Sequence, residues 1–233
     1  MLINKRVRRV AGTVGAAAAM ATSVLLGPPT PSASADPCPD VDVVFARGSG
    51  EPPGLGNVGQ QFVDSLRGRI GGRSLGVYPV NYPASTDFSS PDFPLTVIDG
   101  IRDAGSHVQS MAANCPNTKE VLGGYSQGAA VAGYVTSAAV PPGVPPAAVP
   151  KPMSPDVANH VAAVTLFGTP SDQFLGQYGA PPIVIGPMYK PKTLELCAPG
   201  DSICGAGNDS AAHVMYAANG MTNQAADFAA SHV

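Results

Sequence analysis

The chain has 233 residues, 44% of them apolar, enough for one sizeable packed domain. Only 12% are charged, and no basic cluster lies beyond the N-terminus, which argues against nucleic acid or an anionic membrane surface as the main partner. Glycine (27) and proline (25) are abundant without a period, so the chain is loop-rich and not fibrous.

Residues 1–35 read as a secretory signal peptide. Lys5, Arg6, Arg8 and Arg9 form a basic start, Val10–Leu26 is uncharged and alanine-rich, and Ala33-Ser34-Ala35 fits a small-x-small cleavage site. A membrane anchor is the competing reading, but the run is short and weakly apolar for one. Arg8-Arg9 raises twin-arginine export, with little support from its neighbours. Cleavage before Asp36 leaves a single domain, 36–233, with nine basic and 16 acidic residues and a net charge of −7. The expected product is secreted, with cell-wall association as a further option and no stable membrane span. Nothing in it demands more than a monomer. All four cysteines, Cys38, Cys115, Cys197 and Cys204, fall in the mature part, and an even count in an exported chain favours two disulfides. Three pairings are open, with Cys197 and Cys204 close enough for a local bridge. Zinc is disfavoured because no Cys-x-x-Cys pair exists.

Along the mature chain, β-rich runs alternate with helical spacing, the pattern of a parallel sheet flanked by helices. Strands are expected at Val41–Ala46, Leu75–Val80, Lys119–Tyr125, Val161–Phe167 and Thr193–Leu196. Helices are expected over Gln60–Ile70, over Leu95–Ala113 and from Ser126 onward, with closing helices at Ala211–Asn219 and Asn223–Ala230 split by Gly220. Seven prolines between Pro141 and Pro155 exclude a regular helix or central strand and predict a loop inserted between core elements. Ligands of such sheets bind beyond the carboxyl ends of the strands, here Gly48–Gly50, Tyr82–Ser85, Ser126, Gly168–Pro170 and the loop after Leu196.

Gly124-Tyr125-Ser126-Gln127-Gly128 stands between an expected strand and an expected helix. A sharp turn there points the serine oxygen outward, and the glycines permit close backbone approach, so Ser126 is the expected nucleophile. Serine needs a base, itself oriented by a carboxylate. Of His107, His160, His213 and His232, the order Ser–acid–His excludes His107. His160 precedes the fourth strand, at the far end of the sheet, and His232 is penultimate. His213 remains. Asp201 is the favoured acid, with Asp172 and Asp209 as competitors. The oxyanion would be met by the backbone N–H of Gln127 and by Ser49, although an ordinary turn serine would look the same. Tyr82, Pro83, Phe88, Ile203 and Met215 are candidate acyl contacts.

These residues together resemble the cutinase family of serine esterases. The resemblance rests on Gly124-Tyr125-Ser126-Gln127-Gly128-Ala129, on Ala46-Arg47-Gly48-Ser49, and on Cys197-x-x-Gly200-Asp201-x-Ile203-Cys204 followed by His213. It covers most of residues 38–233 and its style is similar to the mycobacterial cutinase-like proteins. It implies a three-layer α/β/α hydrolase with a central parallel five-stranded sheet. It also implies a Ser126–Asp201–His213 triad, an oxyanion hole of Ser49 and Gln127, and Cys38–Cys115 and Cys197–Cys204 bridges. The implied activity is hydrolysis of carboxylic esters of short to medium acyl chains, cutin-like polyesters or lipids, without metal or cofactor. Gly50 and the proline-rich 141–155 depart from the simpler pattern; the proline-rich stretch either reshapes one side of the site or decorates the surface, the latter being the more usual place for such loops. Phospholipase, thioesterase or transacylase action uses the same triad. A secreted binding protein that keeps the fold with little catalysis is the alternative of another class.

Overall fold

The computed structural model describes residues 38–233; the signal-peptide expectation for 1–35 lies outside the described residues. Five parallel strands form one sheet in the order β2-β1-β3-β4-β5. They are β1 (Val41–Ala46), β2 (Leu75–Pro79), β3 (Lys119–Tyr125), β4 (Val161–Phe167) and β5 (Thr193–Leu196). β1, β3 and β4 are buried on both faces, which is why they read as near-continuous apolar runs and not as alternating ones.

Alternate strand residues feed two cores. Val41, Val43 and Phe45 pack with Phe62, Val63 and Leu66 of α1 (Gly56–Arg67) and Ala225, Ala226 and Ala229 of α6 (Met221–Ala230). Val44, Ala46 and Leu122 pack with Ala104 and Val108 of α2 (Phe93–Asn114), Ala129, Val131 and Ala132 of α3 (Gln127–Val135), and Ala158 of α4 (Pro155–His160). The result is three layers, α/β/α. The chain turns from β1 to opposite sides of the sheet at the β1/β3 boundary, the switch point where ligands of such sheets bind.

Three segments depart from expectation. α4 and α5 (Asp172–Gln177) are six-residue helices set by Ser154 and Ser171, whose hydroxyls accept the N–H of Val157 and Phe174. Pro155, the last of the proline run, opens α4. Ala211–Asn219 does not form a helix; only Ala212–Val214 winds one 3₁₀ turn. Burial of Tyr216, fully enclosed against Phe167, holds this segment in place and overrides its alanine-rich propensity. The structure joins Cys38 to Cys115 and Cys197 to Cys204.

Candidate active site

β3 ends at Tyr125 and α3 starts at Gln127, leaving Ser126 alone on the turn at φ 55° and ψ −117°. A non-glycine residue at positive φ is strained, and it persists only where its surroundings hold it. The two glycines make the turn possible: a Cβ on Gly124 would lie 2.1 Å from the Gly128 carbonyl oxygen, and one on Gly128 would lie 2.0 Å from that of Ala46. The motif is therefore a packing requirement as well as a pattern.

The Ser126 hydroxyl is 2.9 Å from His213 Nε2, and His213 Nδ1 is 2.7 Å from Asp201 Oδ2. Asp201 is wholly buried, and every acceptor position it offers is used. Its Oδ1 accepts the Ile203 N–H at 2.7 Å and that of Cys204 at 3.4 Å; its Oδ2 also accepts the Tyr216 hydroxyl at 2.6 Å. Burial pushes this carboxyl up, but the bonds from Tyr216, Ile203 and His213 outweigh it and hold it below the ordinary aspartate value. Burial, followed by the hydrogen bond to Asp201, pushes the Tyr216 phenol well up, so it stays a donor. The Cys197–Cys204 bridge ties the two ends of this loop.

His213 is fixed from its backbone too. Tyr125 donates its hydroxyl to the His213 carbonyl at 2.7 Å. Gly168 (φ 60°) leaves room for the ring, since a Cβ there would lie 2.9 Å from His213 Cε1. The competitors are occupied elsewhere. Asp209 accepts the Ala211 N–H and Asp172 sits in the first turn of α5. His107 bonds Asp42 at 2.8 Å and stacks on Tyr78, His160 ends α4, and His232 bonds the Phe228 carbonyl.

Ser49 and Gln127 line one cavity with Ser126 and His213. The loop bearing Ser49 is held by a buried arginine. Arg47 donates to the carbonyls of Glu51 and Tyr82 at 2.8 and 2.7 Å. The Glu51 carboxylate accepts the N–H groups of Gly48 and Asn57, both at 2.7 Å, and Gly50 N–H reaches the Ala84 carbonyl at 2.8 Å. Sequence reasoning missed Tyr216, Glu51 and the anchoring role of Tyr125; only Tyr125 carried a local signal, its place inside the serine pentapeptide.

The cavity measures about 880 Å³. Of the five candidate acyl contacts, Phe88 and Ile203 line it. Tyr82, Pro83 and Met215 do not. Tyr82 is buried beneath the loop with its hydroxyl on the Arg47 carbonyl, Pro83 faces solvent, and Met215 lies outside the lining while its neighbour Val214 is part of it. Of the two readings of the proline-rich segment, the one at the site holds: Pro141, Val144, Val149, Pro150 and Met153 line the same cavity. Among the described residues no cluster of three or more His, Cys, Asp or Glu could hold a metal, and no helix is long and apolar enough to cross a membrane.

A family model described as Cutinase matches residues 37–233. The chain is 74% identical over 165 residues to a probable carboxylesterase, Culp7, of Mycobacterium tuberculosis, covering 71% of this chain and 88% of that one. It is 48% identical over 226 residues to a phospholipase, Culp4, of the same organism, covering 97% and 92%. Among solved structures, a Trichoderma reesei cutinase bound to a phosphonate inhibitor superposes with a TM-score of 0.61 at 33% identity, over 84% of this chain and 77% of that one. An acetylxylan esterase superposes with a TM-score of 0.66 at 25% identity, over 84% and 99%. The chain belongs to the cutinase family and is a carboxylic ester hydrolase.

Proposed function

We propose that the protein is a secreted serine esterase that works through an acyl-enzyme on Ser126. The observation that carries this is the unbroken relay from Ser126 Oγ through His213 to a buried, fully bonded Asp201. His213 Nε2 takes the hydroxyl proton as Ser126 Oγ attacks the ester carbonyl. Negative charge collects on the carbonyl oxygen, where Ser49 and the Gln127 N–H donate to it at the start of α3. The tetrahedral adduct collapses, and the alcohol leaves with the proton from His213. Water then gives its proton to His213 and attacks the acyl carbonyl; as the bond to Ser126 Oγ breaks, His213 returns that proton to Oγ and the acid leaves. Asp201 holds the Nδ1–H tautomer and stabilises the transient imidazolium.

The two disulfides and the N-terminal pattern support export. The relay supports acyl transfer and leaves the alcohol open. A relative named a phospholipase is compatible with a lipid ester. A fluorophosphonate probe tests the reading: the wild type takes the label on Ser126 and Ser126→Ala takes none. A folded wild type that stays unlabelled would point to a binding protein instead. Tyr216→Phe is expected to lower kcat roughly tenfold with KM unchanged, the size of one hydrogen bond to a charged group. An unaltered kcat would show that Tyr216 only packs.

A further inference from the structure

The cavity continues well past Ser126. Its α2 wall runs from Phe93 to Gln109, and sixteen residue steps at 1.5 Å each make about 24 Å. One leaflet of a bilayer, half of a hydrocarbon core of about 30 Å, is the span of one lipid acyl chain. The groove is longer than that. It begins at the active face, where Phe93 contacts Phe88 and Gln127 reaches the Ser85 carbonyl. It then descends along α2 beside Ala130, Tyr134 and Val135 of α3; the two helices run the same way down one face of the sheet and touch at Gly100, where a Cβ would lie 3.0 Å from Val131. The proline-rich segment adds Val149, Pro150 and Met153 to the lining, and α2 adds Ile101. Arg102 fastens the proline-rich wall to α2 by donating to the Ala148 carbonyl at 2.7 Å. Prolines fix φ, so the wall is held with little entropy left to lose.

Gly105 sits on α2 about 18 Å below Phe93, counted at 1.5 Å per residue. The position is buried, yet a Cβ built there meets nothing within 4 Å. Glycine inside a helix costs about 1 kcal/mol relative to alanine. Here alanine would fit, so local stability does not explain the glycine. The empty space beside it is the groove.

We propose that the protein hydrolyses esters of a long acyl chain, of the length that fills a bilayer leaflet, with the chain lying between α2 and the proline-rich segment and Gly105 setting the bore of the far third. This rests on the esterase reading of Ser126 and extends the short- to medium-chain expectation drawn from the sequence. Each methylene moved from water into an apolar wall is worth roughly fourfold in binding. Losing two or three of them costs tenfold or more.

The test compares p-nitrophenyl butyrate, octanoate, laurate and palmitate in one mixed-micelle buffer. In the wild type, kcat/KM is expected to rise from butyrate to palmitate. A helical side chain leans toward the N-terminus, so the ring of Gly105→Phe would enter the groove near Ile101. That variant is expected to keep butyrate within about twofold and to lose palmitate at least tenfold, with Gly105→Leu between it and Gly105→Ala. Should Gly105→Phe fail to fold, Met153→Trp from the opposite wall carries the same expectation. A wild type that prefers butyrate and ignores palmitate overturns the proposal, as does a folded variant that loses both esters in equal proportion. A wild type that takes the fluorophosphonate label yet spares palmitate overturns the acyl-length proposal alone. One that neither takes the label nor cleaves butyrate overturns the esterase reading.

Discussion

Ser126→Ala is expected to lower kcat on a short p-nitrophenyl ester about 10⁶-fold and Asp201→Asn about 10⁴-fold, with KM little changed in both. In the proposed mechanism the first removes the atom that forms the acyl bond. The second works through proton placement. Asp201 Oδ1 is bound by the Ile203 N–H, so the asparagine oxygen stays there and its NH₂ takes the place of Oδ2. That group faces His213 Nδ1 at 2.7 Å. It can donate only to an Nδ1 without a proton, which forces the proton onto Nε2. The ring then has no lone pair for Ser126. The Tyr216 hydroxyl can rotate to accept, so the loop has no reason to unfold. The double variant should be no worse than Ser126→Ala alone, because the two groups act as one unit. Steady-state kinetics with active-site titration checks this, and an Asp201→Asn enzyme that kept a tenth of the wild-type kcat would remove Asp201 from the proposed relay.

The strands were legible to the residue at β1, β3 and β4, because each is an apolar run between turn residues and is buried on both faces; β5 also matches its expected bounds, although Glu195 is exposed. The candidate site was legible where its chemistry is local: the glycine-bracketed Ser126 and the cysteine-bracketed Asp201. Its supports were not. Tyr216 meets Asp201 across fifteen positions, and Glu51 folds back onto Gly48 and Asn57; neither pairing has a sequence period. The acyl wall shows the limit most clearly. Val97, Ile98 and Ile101 form the apolar stripe that predicts α2, and a stripe reads the same whether it faces a core or a groove. In the structure all three line the cavity. Tyr82, Pro83 and Met215 were apolar neighbours of the site in sequence, but loop geometry turned them away.

Stability is expected to fall as pH rises from about 4.5 to 8, and Glu120→Gln is expected to abolish that fall. Glu120, the second residue of β3, lies beside its register partner Asp42 on β1, at the end of the sheet away from Ser126. It is 1% exposed, and neither carboxyl oxygen has a hydrogen-bond partner among the described residues. Asp42 is bonded to His107, so it offers Glu120 charge and no proton. Burial first, and the charge of Asp42 second, push the Glu120 carboxyl from 4.5 up to about 8. The sign follows. Below the unfolded value both states hold the proton and stability is full. Between 4.5 and 8 the unfolded chain has released it while the folded chain keeps it, so each unit of pH takes about 1.4 kcal/mol from folding. Above 8 the loss is complete, on the order of a few kcal/mol. Glutamine keeps the shape and carries no charge, so its curve should stay flat across the window. Urea unfolding at pH 5 and pH 9, with both disulfides intact, reads the difference directly. Parallel losses in wild type and variant would place the titrating group elsewhere. The site itself lies at the other end of the strands, so Glu120→Gln should leave kcat on a short ester unchanged at pH 7 while the protein survives denaturant better at pH 9.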